Sequence, residues 1–535
     1  MTRRGPGFTP NGAAAPAQAG PAAVSRRLIR HPAVREAAVL PQVLPDGRTA
    51  LTAYVVAEPG YLAEQTTGLA GEHVDGWRDV FEHVYRPSPA GTADDAALAP
   101  GDPALDRAGW NSSYTGTVMT RHEVGEAIDG VVDQVAALPH RRVLEVGCGT
   151  GMLLLRLAPG AERYWATDLS ARVLHALRRR LDASPHAYAG VTLLEREGTD
   201  FSGFADDSLD LVLLNSVVQY FPSASYLRRM LREAVRVVRP GGAVLIGDVR
   251  DLRLLQVLHS SVEVWHADSG TPAGEVRRRV TAAVADEGEL LVDPAFFAAL
   301  AAELPGVCEV GLQLKRGTVA NELTKFRYDV TLRVGARPGP GAAPHPRPEP
   351  RPGHLAVPWD PARWSVAAVE SRIERGELRE AVILDVPDSR TARDVATWRA
   401  LTESPADARL GDLLDPGALD GLDPGLWWAI GRRRGLTVAV TPPRSGTPGR
   451  YDVAVSRPGA TPPWAPRTRR SALTNAPLHQ ALSDDLALDL RAFLTAHLPA
   501  DLVPARLVIV DEIPSRPDGT VDAGRLPGTD DGAPE

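Results

Sequence analysis

The chain has 535 residues, of which 44% are hydrophobic and 24% charged, a composition typical of a globular protein with roughly two to four domains. Its net charge is −8 and it has no long basic run, so we expect no nucleic-acid partner. No apolar run approaches the about 20 residues that cross a bilayer, and the two cysteines, Cys148 and Cys308, suit neither a disulfide framework nor a zinc site. These features argue against a membrane partner and predict a soluble, cytoplasmic protein.

The N-terminal region is predicted to be a tail followed by a small folded segment. Residues 1–23 contain two arginines without an apolar stretch behind them, so we expect a disordered tail rather than a signal peptide. Residues 24–60 are predicted to form a helix and two strands. The strand sequences are “AAVL” and “LTAYVV”, and the turn sequence “PDGR” separates them.

Residues 74–335 alternate short apolar runs with amphipathic segments. The predicted strands are “RVLEV”, “RYWATD”, “VTLLER”, “LDLVLLNS” and “AVLIGDV”, and the predicted helices include “SARVLHALRRRL” and “SYLRRMLREAVRVV”. The strand runs are apolar almost throughout, as strands covered on both faces require. The alternation predicts an α/β fold with a mostly parallel sheet between two layers of helices.

The remaining chain is predicted to contain three further segments. Residues 336–354 are rich in proline and glycine and are interpreted as a linker. Residues 355–466 indicate a small accessory α/β segment without a recognisable catalytic cluster. Residues 480–530 contain “FLTAHLPADLVPARLVIVDEIPSRPDGTVDAGRLP”.

The strongest functional signal is “VLEVGCGTG”, a strand followed by a turn with Gly147, Gly149 and Gly151. The spacing is not the dinucleotide pattern G-x-G-x-x-G, because the sixth position holds Met152. Glu145 precedes the turn, and Asp168 ends the next predicted strand, where a carboxylate can accept hydrogen bonds from ribose hydroxyls. This combination favours a nucleoside ligand without phosphates, such as S-adenosylmethionine. The alternatives are a chance glycine-rich turn and a dinucleotide site with a degenerate third glycine.

The later strands extend this interpretation. The run “LDLVLLNS” ends near Asn215, and Tyr220 follows it. Ligands of doubly wound sheets bind at the carboxyl ends of the strands, so both side chains are candidates for the methyl-transfer mouth. Tyr220 is alternatively a core residue. The order of helix, “RPGG” turn and fifth strand is usual for a class I methyltransferase.

Residues from about Trp77 to Gly335 resemble the N-methyltransferase domains of nonribosomal peptide synthetases. The resemblance lies in “GWNSSYTG”, “VLEVGCGTGMLLLRLAP”, “LLNSVVQYFPS”, “IGDVRDLRLLQVLHSSVE”, “DEGELLVDPAFF” and “LKRGTVANELTKFRYDVTL”. In that family the methyltransferase is inserted in the C-terminal subdomain of an adenylation domain, and residues 24–60 and 480–530 resemble the two halves of that subdomain. The segment with “VPDSR” resembles the stretch that follows the methyltransferase within such insertions.

The resemblance implies a class I (Rossmann-like) methyltransferase with a seven-stranded, mostly parallel sheet, and a small α+β adenylation subdomain split around it. The implied cofactor is S-adenosylmethionine. The implied acceptor is an aminoacyl or peptidyl thioester on the phosphopantetheine of a peptidyl carrier protein. The family's adenylation lysine is replaced by Thr520, and no adenylation core precedes Val24, so we expect no adenylation activity. The subdomain halves either dock a carrier protein or an adenylation core in trans, or are inert remnants.

Further site residues are proposed from the same resemblance. Asp200 is the candidate for binding adenine, with Glu197 as its competitor, and an uninvolved acid is an equal alternative. Tyr114 belongs to “GWNSSYTG”, which forms either a lid or a capping turn. The candidate catalytic bases are His259 and Glu263, four residues apart on one predicted helix, and Glu322.

Two other groups of residues have open interpretations. Each of the three candidate bases has a structural role as its alternative to a catalytic one. Lys315 and Lys325, the two lysines of the chain, are candidates for contacting the phosphopantetheine phosphate or the carrier protein, or are ordinary surface charges. No metal site is expected.

Two rival functions remain at this stage. One keeps the fold but methylates oxygen or carbon, or epimerises a related substrate. The other is a non-catalytic scaffold that binds carrier proteins.

Overall fold

A computed structural model describes residues 20–43, 49–86, 105–336, 355–362, 364–378, 380–414, 421–456, 472–510, 512–516, 520–523 and 526. The chain divides into two units. Unit 1 combines Met1–Glu72 with Leu478–Glu535, and unit 2 is His73–Pro477. Most of the predicted tail, the “PDGR” turn and nearly all of the predicted linker lie outside the described residues.

The helices of the described residues are α1 (Pro21–Leu28), α2 (Pro59–Val84), α3 (Arg121–Ala136), α4 (Leu154–Leu157), α5 (Ala171–Asp182), α6 (Ala224–Val237), α7 (Leu255–His266), α8 (Ala273–Ala285), α9 (Ala295–Glu303), α10 (Glu322–Phe326), α11 (Val366–Glu374), α12 (Ala392–Glu403), α13 (Leu410–Leu413), α14 (Pro424–Arg434) and α15 (His479–Thr495). The strands are β1 (Val34–Val43), β2 (Thr49–Ala57), β3 (Arg142–Val146), β4 (Arg163–Asp168), β5 (Val191–Glu195), β6 (Leu209–Asn215), β7 (Val238–Arg250), β8 (Val307–Leu314), β9 (Arg327–Val334), β10 (Leu355–Pro358), β11 (Ala381–Pro387), β12 (Thr437–Thr441), β13 (Arg450–Ser456) and β14 (Arg506–Ile509).

Unit 1 is built from the two ends of the chain. Its sheet has the order β1-β2-β14, with β1 antiparallel and β14 parallel to β2. The core joins Val24 and Leu28 of α1 to Val55 of β2 and to Leu490 and Leu494 of α15. Helix α1 begins at Pro21, inside the range predicted as a tail, because Val24 and Leu28 lie one helical turn apart and both are buried.

The main sheet of unit 2 has seven strands in the order β5-β4-β3-β6-β7-β9-β8. The first five are parallel to one another, and β9 runs antiparallel between β7 and β8. This topology confirms the predicted class I fold with a mostly parallel sheet. The strand order reverses at β3, so the crevice beside its carboxyl end is the expected ligand site.

Helices cover both faces of this sheet, as the apolar strands predict. Neighbouring residues of β3 contribute to opposite layers, because successive side chains of a strand point to opposite faces. Val143 packs with residues of α3 and α5, whereas Leu144 packs with residues of α6 and α9. The two layers leave the carboxyl end of β3 between them.

Residues 355–456 form a second sheet in unit 2, with the order β10-β11-β13-β12. Its core contains the fully buried Trp427 and Tyr451, and the Trp427 indole donates to the Tyr451 hydroxyl at 2.8 Å. Within the residues that the structure describes, no helix has the length and apolarity to span a bilayer, and no three metal-ligating side chains form a group.

Candidate active site

The turn after β3 depends on its glycines. Gly147, Gly149 and Gly151 have φ angles of 72°, 51° and 83°, in the left-handed region that favours glycine. A Cβ atom on Gly147 would lie 2.6 Å from Val217, and one on Gly151 would lie 2.6 Å from Leu177. The turn therefore needs glycine for both its conformation and its packing, and it exposes backbone to the space beside it.

Asp168 stands at the end of β4, next to this turn, and is 8% exposed. The Gly149 amide donates to Oδ2 and the Ser170 amide donates to Oδ1, both at 2.9 Å. Burial raises the pKa of Asp168, and the amide hydrogen bonds oppose that effect. Each carboxylate oxygen can accept more than one hydrogen bond, so both remain able to accept from a ligand.

Glu145 is almost fully buried in β3 beneath the turn. Its Oε2 accepts a hydrogen bond from the Tyr164 hydroxyl at 2.8 Å. Burial raises the pKa of Glu145 to about 8, against the effect of that hydrogen bond. The carboxyl is therefore largely protonated at neutral pH, in contrast to an exposed glutamate.

A cavity of about 600 Å³ opens beside the turn at the carboxyl ends of the strands. Eight of the predicted site residues line it: Glu145, Gly147, Gly149, Asp168, Asn215, Tyr220, His259 and Glu322. Four others do not: Gly151, Asp200, Tyr114 and Glu263. The structure thus brings residues of five separate chain segments to one cavity, while their individual roles stay predictions.

Asp200 and its competitor Glu197 lie away from the cavity. Asp200 is exposed, accepts from the Ser202 amide at 2.9 Å and pairs with Arg196 at 3.8 Å. Glu197 pairs with Arg78, also at 3.8 Å. Neither acid lines the cavity, although Arg196 and Gly198 on either side of Glu197 do, and the adenine-binding role of Asp200 stays a prediction.

The segment “GWNSSYTG” borders the cavity through its backbone turn rather than through Tyr114. Trp110, Asn111 and Ser113 line the cavity. The Tyr114 hydroxyl instead donates to Ser261 Oγ of α7 at 3.1 Å, and its ring meets Trp265 edge-on with the ring centroids 6.0 Å apart. Glu263, on the same helix, is half-buried outside the cavity.

An aromatic wall on α2 was missed by sequence reasoning. Trp77, Phe81 and Tyr85 line the cavity, and the ring centroids of Trp77 and Phe81 lie 4.5 and 5.0 Å from that of Tyr220. The Tyr85 hydroxyl would lie 3.2 Å from a Cβ atom on Gly149. The available signal was the spacing W-x₃-F-x₃-Y, which puts three aromatic rings on one helical face.

Opposite charges surround His259 on another side of the cavity. Its Nε2 lies 3.1 Å from Glu287 Oε2, and Glu287 receives a bidentate pair of hydrogen bonds from Arg250 at 3.0 and 2.7 Å. Arg250 also donates to Glu289 at 2.6 Å. Burial raises the pKa of Glu287, but the hydrogen bonds with His259 and Arg250 outweigh it and lower the pKa to about 2. Glu287 is therefore ionised, and sequence reasoning had not identified this group.

Glu322 opens α10 and accepts the Ser113 amide hydrogen bond, at 3.0 Å from Oε1. Arg327 also lines the cavity and pairs with the buried Asp248. The two lysines differ in exposure, since Lys325 is half-buried and pairs with Asp394 at 3.0 Å. Lys315 is 3% exposed and pairs with Asp329 at 3.0 Å. Burial therefore corrects the expectation that Lys315 contacts a carrier protein.

The residues present fit S-adenosylmethionine. The glycine turn and Asp168 provide backbone access and hydrogen-bond acceptors, and the aromatic wall provides apolar surface for a ring system. Among the described residues, two buried acceptor atoms at the cavity have no hydrogen-bond partner: Asn215 Oδ1 and Gln219 Oε1. Buried polar atoms are usually paired, so these two are available to donors on a ligand.

Comparisons with known proteins agree with this arrangement. Residues 144–246 match the family described as “Methyltransferase domain”. The chain is 33% identical over 527 residues to the chondramide synthase cmdD of Chondromyces crocatus, an alignment that covers 95% of this chain and 13% of that protein. It is 28% identical over 542 residues to the nonribosomal peptide synthetase kk1B of Curvularia clavata, covering 95% of this chain and 4% of that protein.

A third relative is the bassianolide nonribosomal cyclodepsipeptide synthetase of Beauveria bassiana, 28% identical over 538 residues, covering 94% of this chain and 16% of that protein. The chain thus spans a small part of the length of each of these relatives. Similarity extends over nearly all of the chain and is not confined to the methyltransferase region. The chain therefore contains an S-adenosylmethionine-dependent methyltransferase domain with the class I fold and is homologous over nearly all of its length to segments of nonribosomal peptide synthetases.

Proposed function

We propose that the chain methylates the amino group of an aminoacyl or peptidyl thioester held on the phosphopantetheine of a peptidyl carrier protein, in the cytoplasm. The observation that carries this proposal is the shared cavity. It joins the glycine turn and Asp168 to His259, whose imidazole is paired with an ionised carboxylate. Two of the relatives are named as a nonribosomal peptide synthetase and a nonribosomal cyclodepsipeptide synthetase, and an amine on a carrier-bound amino acid is an acceptor that fits such synthesis.

The cofactor supplies an electrophilic methyl group on a sulfonium. The chain's own residues supply alignment and exclude water, which are the main contributions that such a reactive electrophile needs. Asp168 would accept the ribose hydroxyls, and the glycine turn would lie against the methionine portion. The rings of Trp77, Phe81 and Tyr220 would cover the cofactor and keep solvent away.

The attacking amine must lose its proton, and His259 is our choice among the three candidate bases. Because Glu287 is ionised, it is the acceptor for an Nε2–H group of His259. That tautomer leaves Nδ1 as the nitrogen that can take a proton. Glu287 would then stabilise the imidazolium that forms, while Arg250 holds the carboxylate in place.

Transfer can be tested with labelled S-adenosylmethionine and a panel of carrier proteins loaded with amino acids. Matched controls are the same carrier loaded with a 2-hydroxy acid or with an N,N-dimethylated amino acid. We expect label on nitrogen only with the free amine. Label on oxygen or carbon would overturn the choice of acceptor. Binding of the cofactor without turnover on any acceptor would favour a scaffold.

The base can be tested on the same reaction. We expect His259→Asn to bind S-adenosylmethionine normally and to lose about 10²- to 10⁴-fold in kcat, the usual contribution of a general base. Glu263→Gln is the matched control, since Glu263 lies on the same helix outside the cavity, and its kcat should stay near wild type. Equal effects of the two substitutions would contradict the assignment.

We further propose that unit 1 corresponds to the C-terminal subdomain of an adenylation domain and does not activate amino acids itself. Thr520, which is exposed, carries no positive charge to offset a developing phosphate anion. An ATP–pyrophosphate exchange assay with the 20 amino acids should therefore give no exchange. Exchange that depends on one amino acid would contradict the proposal. Docking of a carrier protein or of an adenylation core in trans remains the proposed use of this unit.

A further inference from the structure

The segment beyond the predicted linker makes polar contacts with the elements that carry the acceptor side of the cavity. These contacts come from α12 and from residues 473–475, which follow the second sheet in the chain. The sequence of residues 355–466 contains no recognisable catalytic cluster, and none of the residues that the structure describes beyond position 354 lines the cavity. Their effect on the site is therefore indirect, through the residues that they hold.

Asp394 on α12 is the centre of the first contact. It is 6% exposed, and its Oδ1 accepts a hydrogen bond from Ser261 Oγ at 2.6 Å. Its Oδ2 lies 3.0 Å from Lys325 Nζ, as an ion pair rather than an aligned hydrogen bond. Ser261 lies two residues after His259 on α7, and Lys325 lies three residues after Glu322 on α10. One carboxylate therefore joins the two helices that carry cavity residues.

The same contact reaches the segment “GWNSSYTG”. Ser261 Oγ, while donating to Asp394, accepts the hydrogen bond from the Tyr114 hydroxyl. The Asn111 and Ser113 residues of that segment line the cavity, and the Ser113 amide donates to Glu322. Asp394, Ser261 and Tyr114 form a chain of hydrogen bonds from the second sheet's helix layer to the cavity rim.

Apolar packing supports the polar chain. Leu258 of α7 and Phe326 of α10 both line the cavity, and both pack in one cluster with Val395 of α12. Val257 and Trp398 belong to the same cluster. The cavity wall is thus backed by α12 along both helices.

Asn475 makes the second contact. Its Oδ1 accepts the Leu291 amide and its Nδ2 donates to the Glu289 carbonyl, both at 2.8 Å. Thr474 forms a bridge with Val292 in the same place. These contacts hold the backbone from Glu289 to Val292, close to Glu287 in the chain, so residues 473–475 fix the backbone that presents the carboxylates beside His259.

We propose that α12 and residues 473–475 are a structural part of the methyltransferase active site, with Asp394 as the positioning residue that sets α7 and α10 against the acceptor. The part of this proposal that concerns the acceptor rests on the proposed function. The positioning of the two helices does not, because it can be observed without any acceptor.

The test compares Asp394→Ala and Asp394→Asn with Glu377→Gln in the full chain. Glu377 is an exposed carboxylate of the same segment that pairs with Arg375. We expect amide hydrogen exchange in residues 255–266 to become about 10-fold faster in Asp394→Ala, since hydrogen bonds to a charged group are lost. Asp394→Asn keeps an acceptor for Ser261 and should give a smaller change. S-adenosylmethionine affinity should stay within about 2-fold of wild type in all three, because Asp168 and the glycine turn are untouched.

Kinetics on a carrier-bound amine provide the second readout. A shift of about 1 Å at a reacting group costs up to about 100-fold in rate, so we expect kcat to fall about 10- to 100-fold in Asp394→Ala and Glu377→Gln to match wild type. The effect of Asp394→Ala should be non-additive with Ser261→Ala, because both break one contact.

The two proposals fail in different ways. Unchanged exchange in residues 255–266 would overturn the positioning role, and so would equal loss of cofactor binding and activity, which indicates general unfolding. Faster exchange without methylation of any carrier-bound amine by the wild type would retain the positioning role and overturn the proposed acceptor.

Discussion

Asp168 and Glu145 lie at the ends of adjacent strands, and burial acts on both, but their partners differ. Asp168 accepts two backbone amide hydrogen bonds, which favour its charged form. Glu145 accepts one phenol hydrogen bond, and its pKa is about 8. At the residue scale the site therefore contains one carboxylate suited to bind hydroxyl donors and one carboxyl held largely neutral below it.

Replacing Asp168 by asparagine should weaken cofactor binding. The substitution removes the charge and exchanges one acceptor oxygen for a donor, at about 1.5–3 kcal/mol for a hydrogen bond to a charged group. We expect the Kd of S-adenosylmethionine, measured by calorimetry, to rise about 10- to 100-fold. Asp129→Asn, at an exposed ion pair with Arg156, is the control and should leave the Kd unchanged. Equal Kd values for both variants would contradict the ribose assignment.

Glu145 predicts a pH dependence of stability. Its pKa is raised from 4.5 to about 8 in the folded protein, so the unfolded chain releases its proton first as the pH rises. The free energy of unfolding of the wild type should fall relative to Glu145→Gln between about pH 4.5 and 8, by about 1.4 kcal/mol for each unit of pKa difference. Urea unfolding of both proteins at pH 5 and pH 9 measures this. A difference that does not change with pH would contradict a neutral buried carboxyl.

Helix α2 lines the cavity with one face and is hydrogen-bonded to the segment after Asp168 through another residue. Its aromatic face lines the cavity, while Glu82 accepts a hydrogen bond from Ser170 Oγ at 2.7 Å. Ser170 also caps α5, the helix that follows Asp168 in the chain. The helix is thereby held against the segment that follows Asp168, and its rings line the same cavity as the glycine turn.

Removing one ring of this helix should affect binding more than folding. Phe81→Ala deletes the ring contacts with Tyr220 and Tyr85, each worth about 0.5–1.5 kcal/mol beyond buried area. We expect about a 10-fold rise in the Kd of S-adenosylmethionine. Val80→Ala on the same helix, at a residue that is 46% exposed, should not change it. A normal Kd in Phe81→Ala would show that α2 does not cover the cofactor.

The whole molecule contains two units with separate cores. The core of unit 1 includes Val24, Leu28, Leu490 and Leu494, whereas the methyltransferase sheet has one core on each face. The cofactor cavity is lined by residues of unit 2. Stability of the two units should therefore respond differently to mutation and to ligand.

A core substitution in unit 1 tests that independence. Leu490 is fully buried, so Leu490→Ala should cost about 2–5 kcal/mol in the unfolding of unit 1. The Kd of S-adenosylmethionine should not change. Cofactor at 100 times its Kd should stabilise only unit 2, by about 2.7 kcal/mol. Loss of cofactor binding in Leu490→Ala would contradict this expectation. So would a single unfolding transition that is shifted equally by Leu490→Ala and by the cofactor.

The sequence by itself determined the fold class and the cofactor. The apolar strand runs, the glycine turn and Asp168 are local features, because strand burial and left-handed backbone are properties of a few adjacent residues. The class I sheet and the cofactor prediction were confirmed on that basis. The domain boundaries and the roles of Asp200, Glu263 and Tyr114 stay predictions.

Only the tertiary structure decided which distant residues complete the site. Helix α2, the Glu287–Arg250 pair, Asp394 and Asn475 come from segments far apart in the chain. Periodicity shows that a face is buried but not which surface buries it, and an isolated acid or amide has no neighbours in sequence that reveal its partner. The side of this cavity around His259 is formed by such long-range contacts, and for that reason it was found in the structure.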